Sequence, residues 1–278
     1  MERDAKRPLV NYHAHTWRCK HAGGFEEDYV RAAVDAGYRV FGFSDHSPWP
    51  YKSGFVSHIR MTVDQFPDYL RTVRALSKKY ADRLQIPVGL ECEAFPEYYG
   101  WLADIKAQYL DYAILGNHYE LSDETNGFYF GRCSHPEQIR RYADTTLDGM
   151  RTGLYNYVAH PDLFCSGYAK FDADCAAVSR DLCQAAKALD LPLEYNLLGV
   201  QYHSRAEAEG RLGYPCQGFW EIAAETGCRA IVGLDAHQTA HVFRRDLFDA
   251  ARETLTSMGL KILDDLNIIP RGGNGDDE

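Results

Sequence analysis

The histidines of this chain are spaced as metal ligands would be. His13, His15 and His21 fall within "NYHAHTWRCKHAG", behind the short apolar run "PLV". Further along stand "SDH" with His46, "GLECE" with Glu91 and Glu93, "GNH" with His118, "AHP" with His160, and "GLDAH" with Asp235 and His237. Neutral imidazole and carboxylate both ligate Zn, Mn and Fe. Residues two apart on a strand point to one face, so His-x-His and Asp-x-His each aim two ligands at one space. The nine candidates His13, His15, His21, His46, Glu91, His118, His160, Asp235 and His237 are too many for one tetrahedral ion. Two or three divalent ions (Zn, Mn or Fe) are the natural number. A carboxylate can bridge two of them, as two-metal phosphoryl transfer requires. Spacing allows either Glu91 or Glu93 that role. Asp45 and Glu194 could orient imidazoles or serve structure alone.

These side chains need elements to bring them together, and the chain supplies a regular alternation. β-rich runs lie at 9–15, 39–46, 86–93, 111–119, 156–161, 192–199 and 230–237, seven candidate strands in all. Helical periodicity fills the intervals, as in "FEEDYVRAAVDAG", "DQFPDYLRTVRALSKKYAD", "PEQIRRYADTTLDGMRTG", "ADCAAVSRDLCQAAKALD" and "GFWEIAAETG". Several of these runs end in Gly, a common helix stop. Strands alternating with helices imply a parallel sheet. Seven units without a linker predict one closed or nearly closed barrel, with a doubly wound open sheet as the alternative. In either architecture the C-terminal strand ends converge on one mouth. Seven of the eleven histidines lie at or just beyond such ends, whereas His58, His135, His203 and His241 lie elsewhere. Two long connections, Ser47–Thr62 and Gln201–Pro215, are expected to be substrate loops. The domain is expected to span 1–269, leaving 270–278, "PRGGNGDDE", as a disordered tail.

Composition narrows the function. The 278 residues carry a net charge of −10, which argues against a general nucleic-acid surface. No apolar run approaches the length of a membrane span. "MERDAKRPLV" lacks a signal peptide's apolar core, so a cytoplasmic location is expected. The eight cysteines form no C-x-x-C pair and are expected to be reduced thiols. Nothing in the sequence sets the oligomeric state.

Taken in order, H-x-H-x5-H, "SDHSP", "GLE", "GNH", "AHP" and "GLDAH" resemble the PHP (polymerase and histidinol phosphatase) family over nearly the whole chain. "SDHSPWP", "RM" at Arg60–Met61 and "YP" at Tyr214–Pro215 are most similar to its histidinol-phosphatase branch. The resemblance implies an α/β fold, a distorted (β/α)7 TIM-like barrel of PHP type, with a trinuclear metal site. It implies that His13, His15, Glu91 and Asp235 hold one ion. Glu91 would bridge to a second, held also by His118 and His160, while His21, His46 and His237 hold the third. Glu91 is thereby preferred over Glu93, and Glu91, Asp235 and His237 become the catalytic candidates. The run "LLGVQYHSRAEAEGR" departs from the short loop the family leads one to expect there, which touches substrate identity and leaves the metal chemistry alone.

The expected reaction is hydrolysis of a small phosphate ester, with L-histidinol phosphate the leading substrate and histidine biosynthesis its setting. A metal-bridging hydroxide would attack phosphorus in line with the leaving alkoxide. Arg60, Arg132, Arg205, Arg211 and Arg244 are the candidates to clamp phosphate oxygens. The chain has no G-x-S-x-G elbow, Walker A loop or C-x5-R loop, and Cys19 is expected to fill space beside the metals. Other readings of the same site are hydrolysis of phosphotyrosine, of a nucleotide phosphoester or of a C–N bond, or a non-catalytic metal-binding module.

Overall fold

The computed structural model describes residues 9–271. Its strands are β1 (Leu9–Asn11), β2 (Tyr38–Phe41), β3 (Gly89–Cys92), β4 (Tyr112–Leu115), β5 (Tyr157–Val158), β6 (Leu193–Asn196), β7 (Arg229–Gly233) and β8 (Lys261–Ile262). Every pairing is parallel: β1 with β2, and β3 through β8 in sequence order. β3 and β4 are buried at every position, as strands covered on both faces must be, and both are built from apolar residues with one buried Glu.

Regular ladders stop at two seams, and isolated parallel bridges span both. Val40–Gln85, Phe43–Val88 and His46–Glu91 join the β2 end to β3, while Ala14–Ala236 joins the β1 end to β7. At the second seam the His15 N–H donates to the Ala236 carbonyl at 2.8 Å. The irregular seams account for the distortion of this (β/α)7-type ring. β8 lies outside the seven expected strands, on the early part of β7 through Arg229–Lys261 and Ala230–Ile262.

The helices are α1 (Glu26–Ala36), α2 (Phe66–Lys79), α3 (Tyr99–Gln108), α4 (Pro136–Arg151), α5 (Ala173–Ala188), α6 (Leu197–Ala208), α7 (Gln217–Thr226) and α8 (Arg245–Ser257). α1 and α7 stop at Gly37 and Gly227, whose φ of 80° and 76° let their N–H groups close on the last turn. Tyr12, Val40, Tyr112, Ile114, Tyr157 and Ile231 form a buried cluster of their own, contributed by several strands and covered by Ile268. The larger core lies between strands and helices.

Two expectations need correction. The sixth strand ends at Asn196, and the connection expected as a loop over 201–215 begins as helix α6. Asn196 caps it by accepting the Gly199 N–H at 2.9 Å, and the apolar run that resembles a strand is the buried first turn of a helix. Helices α3 and α8 fill two further intervals, and Phe248, Ala251 and Leu255 give α8 the spacing of one buried helix face. Of the expected tail, 272–278 lies outside the described residues, while the Arg271 N–H donates to Asp111 at 2.8 Å. No helix of the described residues is long and apolar enough to cross a membrane.

Candidate metal centre

All nine expected ligands meet at the C-terminal mouth of the ring. Glu91 stands at the centre. Its Oε1 lies 2.9 Å from His160 Nε2 and 3.5 Å from both His118 Nε2 and His13 Nε2. Its Oε2 lies 3.3 Å from His15 Nε2 and 3.0 Å from His46 Nδ1. Asp235 Oδ1 is 3.4 Å from His13 Nε2 and 3.3 Å from His15 Nε2, which are themselves 3.1 Å apart. A tetrahedral ion with ligands at 2.0–2.1 Å separates them by about 3.3 Å, so His13, His15 and Asp235 have the spacing of one ion's shell.

The backbone is bent to achieve this. His160 and Asp235 take φ of 29° and 50°, a region non-glycine residues seldom enter, and both are among the nine. Two glycines make room for carboxylates. A Cβ on Gly116 would sit 2.0 Å from Glu91 Oε1, and one on Gly233 would sit 1.8 Å from Glu194 Oε1. The "GNH" and "GLDAH" glycines are therefore spaces occupied by acid side chains.

Hydrogen bonds behind the imidazoles fix which nitrogen faces inward. His13 donates from Nδ1 to Glu194 Oε1 at 2.8 Å, turning Nε2 to the centre. Glu93 accepts from His118 Nδ1 at 3.0 Å and from the His118 N–H at 2.6 Å. Glu93 thus orients His118, and Glu91 is the acid among the donors. Asn196 donates to Asp235 Oδ2 at 3.1 Å, leaving Oδ1 turned inward. Asp45 instead accepts the Thr16 N–H and hydroxyl, both at 2.9 Å, and fixes the loop after His15.

The donor set is that of a cation site. His21 Nδ1 donates to the Cys19 carbonyl at 2.7 Å and His237 Nδ1 to the Asp235 carbonyl at 3.0 Å. Each ring therefore presents a lone pair at Nε2, and the two Nε2 atoms face each other at 3.0 Å. Burial and the neighbouring His15 hold both rings below their ordinary pKa, His237 at about 3, so no proton bridges them at neutral pH. Two facing lone pairs repel unless a cation lies between or beside them. Glu91 Oε2 and Asp235 Oδ1 are buried acceptors without a hydrogen-bond donor, which fits the same need.

Charge follows from this crowding. Burial opposes ionisation of Glu91, but His118, His13 and His46 hold it well below the carboxylate range. Asp235 is likewise held down against burial by His13, His15 and His237. Burial opposes the charge on His13, and Glu194, Asp235 and Glu91 overcome it, raising His13 well above its usual value. His15 rises to about 9, against burial, through Asp235 and Glu91. Burial keeps His46 neutral.

A cleft of about 370 Å³ opens above these groups. Tyr119, Tyr129, Tyr202, Tyr214, Gln238 and His241 line it together with Leu198 and several of the ligands. Tyr202 and Leu198 come from α6, the helix that sequence reading took for a loop. Tyr202 and Tyr214 fall in the 201–215 connection expected to serve the substrate, whereas Tyr119 and Tyr129 carry no spacing signal, because tyrosine is common throughout this chain. None of the five candidate arginines lines the cleft at the ligands, but Arg205 and Arg211 line a recess that shares Tyr129, Leu198, Tyr202 and Tyr214 with it. Arg60 is wholly buried behind Glu93; Arg205 pairs with Glu209 at 3.0 Å and Arg244 with Asp246 at 2.8 Å. Arg211 donates to Glu209 and to the Ser166 carbonyl, and Arg132 is exposed. Cys19 is buried with its thiol pushed up to about 12 by burial, so it is no nucleophile.

A parallel α/β ring whose mouth is lined by buried imidazoles and carboxylates is the scaffold of a metal-ligating α/β protein. The particular family is plain from comparison: residues 11–196 match the PHP domain model, and the chain belongs to the PHP family. Asp235 and His237 lie beyond that match, so their place rests on the geometry above. The chain is 29% identical over 258 residues to a Deinococcus radiodurans protein named a probable histidinol-phosphatase, covering 88% of this chain and 92% of that one. It is 25% identical over 252 residues to a Schizosaccharomyces pombe protein of the same name, covering 82% and 80%. Its fold is similar, at TM-score 0.67 and 17% identity over 92% of this chain and 95% of the other, to a Lactococcus lactis histidinol phosphate phosphatase solved with Zn, L-histidinol and phosphate.

Proposed function

We propose that this chain is a metal-dependent phosphomonoesterase that converts L-histidinol phosphate to L-histidinol and phosphate. The observation that carries the metal chemistry is the facing of basic nitrogens and donor-free carboxylate oxygens around Glu91. The substrate follows from the names of the two relatives, which align with most of this chain. His13, His15, Glu91 and Asp235 would hold one ion; Glu91, His118 and His160 a second; His21, His46 and His237 a third. When bound, such ions neutralise phosphate oxygens and lower the pKa of water enough to supply a nucleophile near neutral pH.

The chain's own groups fit that division of labour. Around the ligands the cleft wall is built from tyrosine, leucine, isoleucine, glutamine and histidine side chains. Phosphate charge would be met first at the metal groups, with Arg205 and Arg211 the nearest of the five arginines, in the recess that adjoins the cleft. Tyr119, Tyr129, Tyr202 and Tyr214 give the organic part flat, amphipathic walls.

Phosphate release from histidinol phosphate, phosphotyrosine and nucleoside monophosphates, with Zn, Mn or Fe added to chelator-treated protein, tests the reading. Preference for histidinol phosphate is expected, and equal or better turnover of another ester would replace that substrate. Alanine at Glu91 or His118 should lower kcat more than about 100-fold in a folded protein, since each removes a donor at the charge-stabilising centre. Full activity in either variant would refute the site.

A further inference from the structure

Arg60 is an arginine with no surface at all, and its surroundings give it a different task from holding phosphate. Its guanidinium donates from Nη1 to the Ser47 carbonyl at 3.2 Å, from Nη2 to Glu93 Oε1 at 3.4 Å and from Nε to Asp123 Oδ2 at 3.3 Å. Every branch of the fork is engaged by protein. Its neighbour Ile59 lines the cleft, while Arg60 does not.

The carboxylate it meets is the one that sets His118. Glu93 is 1% exposed, and its two oxygens accept His118 Nδ1–H, the His118 N–H and, at 3.3 Å, the Tyr119 N–H. A buried carboxylate is costly unless a cation and hydrogen bonds balance it, and Arg60 supplies the fixed positive charge. Its planar fork also restricts how Glu93 can turn. Asp123, on the far side, accepts from Tyr51 and Ser57 as well as from Arg60. The Ser47–Thr62 segment is thus fastened through Arg60 to the acid that aims His118 at Glu91.

We infer that Arg60 is a positioning residue: acting through Glu93, it holds the His118 imidazole in its ligating orientation and makes occupancy of that metal position depend on the 47–62 segment. The inference rests on the metal reading of His118 given above. Arg60 therefore makes no contact with the phosphate ester.

Equilibrium competition with a chromophoric chelator, using Zn alone as probe, reads the affinity of each position in wild type, Arg60→Gln, Arg60→Lys, His118→Ala and the Arg60→Gln/His118→Ala double variant. Arg60→Gln should weaken one Zn by about 10- to 100-fold and leave the others in place, the usual cost of losing a group behind a ligand. Arg60→Lys, which keeps the charge but not the fork, should lie between it and wild type, and it carries the test if circular dichroism shows Arg60→Gln unfolded. In the His118→Ala background, Arg60→Gln should cost no further Zn affinity, whereas a general loosening of the fold would. At saturating Zn, Arg60→Gln should keep the wild-type KM for the ester. Unchanged Zn affinity together with a raised KM would overturn the inference and make Arg60 a substrate contact. A full Zn complement in His118→Ala would instead overturn the metal reading itself.

Discussion

His13 and His15 hold protons where a ligand must hold none. Their Nε2 atoms, 3.1 Å apart between Glu91 and Asp235, stand well above and at about 9 respectively in the ion-free protein. An ion entering that space has to displace at least one proton, because like charges that close cannot both persist with it. Zn affinity should therefore rise with pH, including through about 9, where His15 loses its proton. Titration calorimetry at pH 7 in buffers of different ionisation enthalpy should show proton release, and heats independent of buffer would contradict the assignment. His21 makes a different prediction. Its Nε2 faces His237 Nε2 at 3.0 Å, away from Glu91 in the proposed division of ligands, so His21→Ala should lose one equivalent of metal by elemental analysis while the Glu91-centred positions stay filled. Loss of all metal would mean that the three positions do not form separately. At this scale the gathering of these imidazoles and carboxylates was legible in sequence, since they recur at strand ends that converge on one mouth. The arginines were not. What commits Arg60 is Glu93 and Asp123, 33 and 63 residues away, and no local pattern announces such partners.

Helix α6 shows why an element can be missed while its neighbours are read correctly. "PLEYNLLG" is a short apolar run, and period alone does not separate a buried strand from the buried start of a helix. Asn196 decides it, and it does so with both ends of its amide. Oδ1 accepts the Gly199 N–H and starts the helix, while Nδ2 donates to Glu194 Oε2 at 3.0 Å and Asp235 Oδ2 at 3.1 Å. The same side chain places Tyr202 over the cleft and turns Asp235 inward. Asn196→Ala should cost about 1 kcal/mol as a lost cap and weaken metal binding about 10-fold or more as a lost orienting group. Urea denaturation of the ion-free protein measures the first and chelator competition the second; an effect on stability alone would separate the cap from the site. Strand β4 carries a matching demand, since a methyl on Gly116 would fall within 2.0 Å of Glu91 Oε1.

Across the whole molecule, the site exists only if the ring holds together at the β1–β7 seam, where ladder pairing is reduced to a single bridge. His13 and His15 hang from one side of this seam and Asp235 and His237 from the other. The alternation of strands and helices made the ring legible in sequence. The β1–β7 seam was not, because a side chain there supplements sparse backbone pairing. Asn11, fully buried, accepts the Leu234 N–H at 2.9 Å through Oδ1 and donates from Nδ2 to the His13 carbonyl at 3.0 Å. Alanine there leaves the buried Leu234 N–H without a partner and the His13 carbonyl with the Ala236 N–H as its remaining donor, a loss of about 1–3 kcal/mol. Asn11→Asp should restore the bond to Leu234 but set a negative charge against the His13 carbonyl, so it should rescue only part of that loss. Both variants should lower the urea midpoint without changing its slope if the ring unfolds as one unit. Metal bound across the seam should reverse part of the defect, because ions that bind the folded ring alone stabilise it by mass action. A midpoint that does not respond to Zn in Asn11→Ala would show that the ligands on the two sides of the seam do not share an ion.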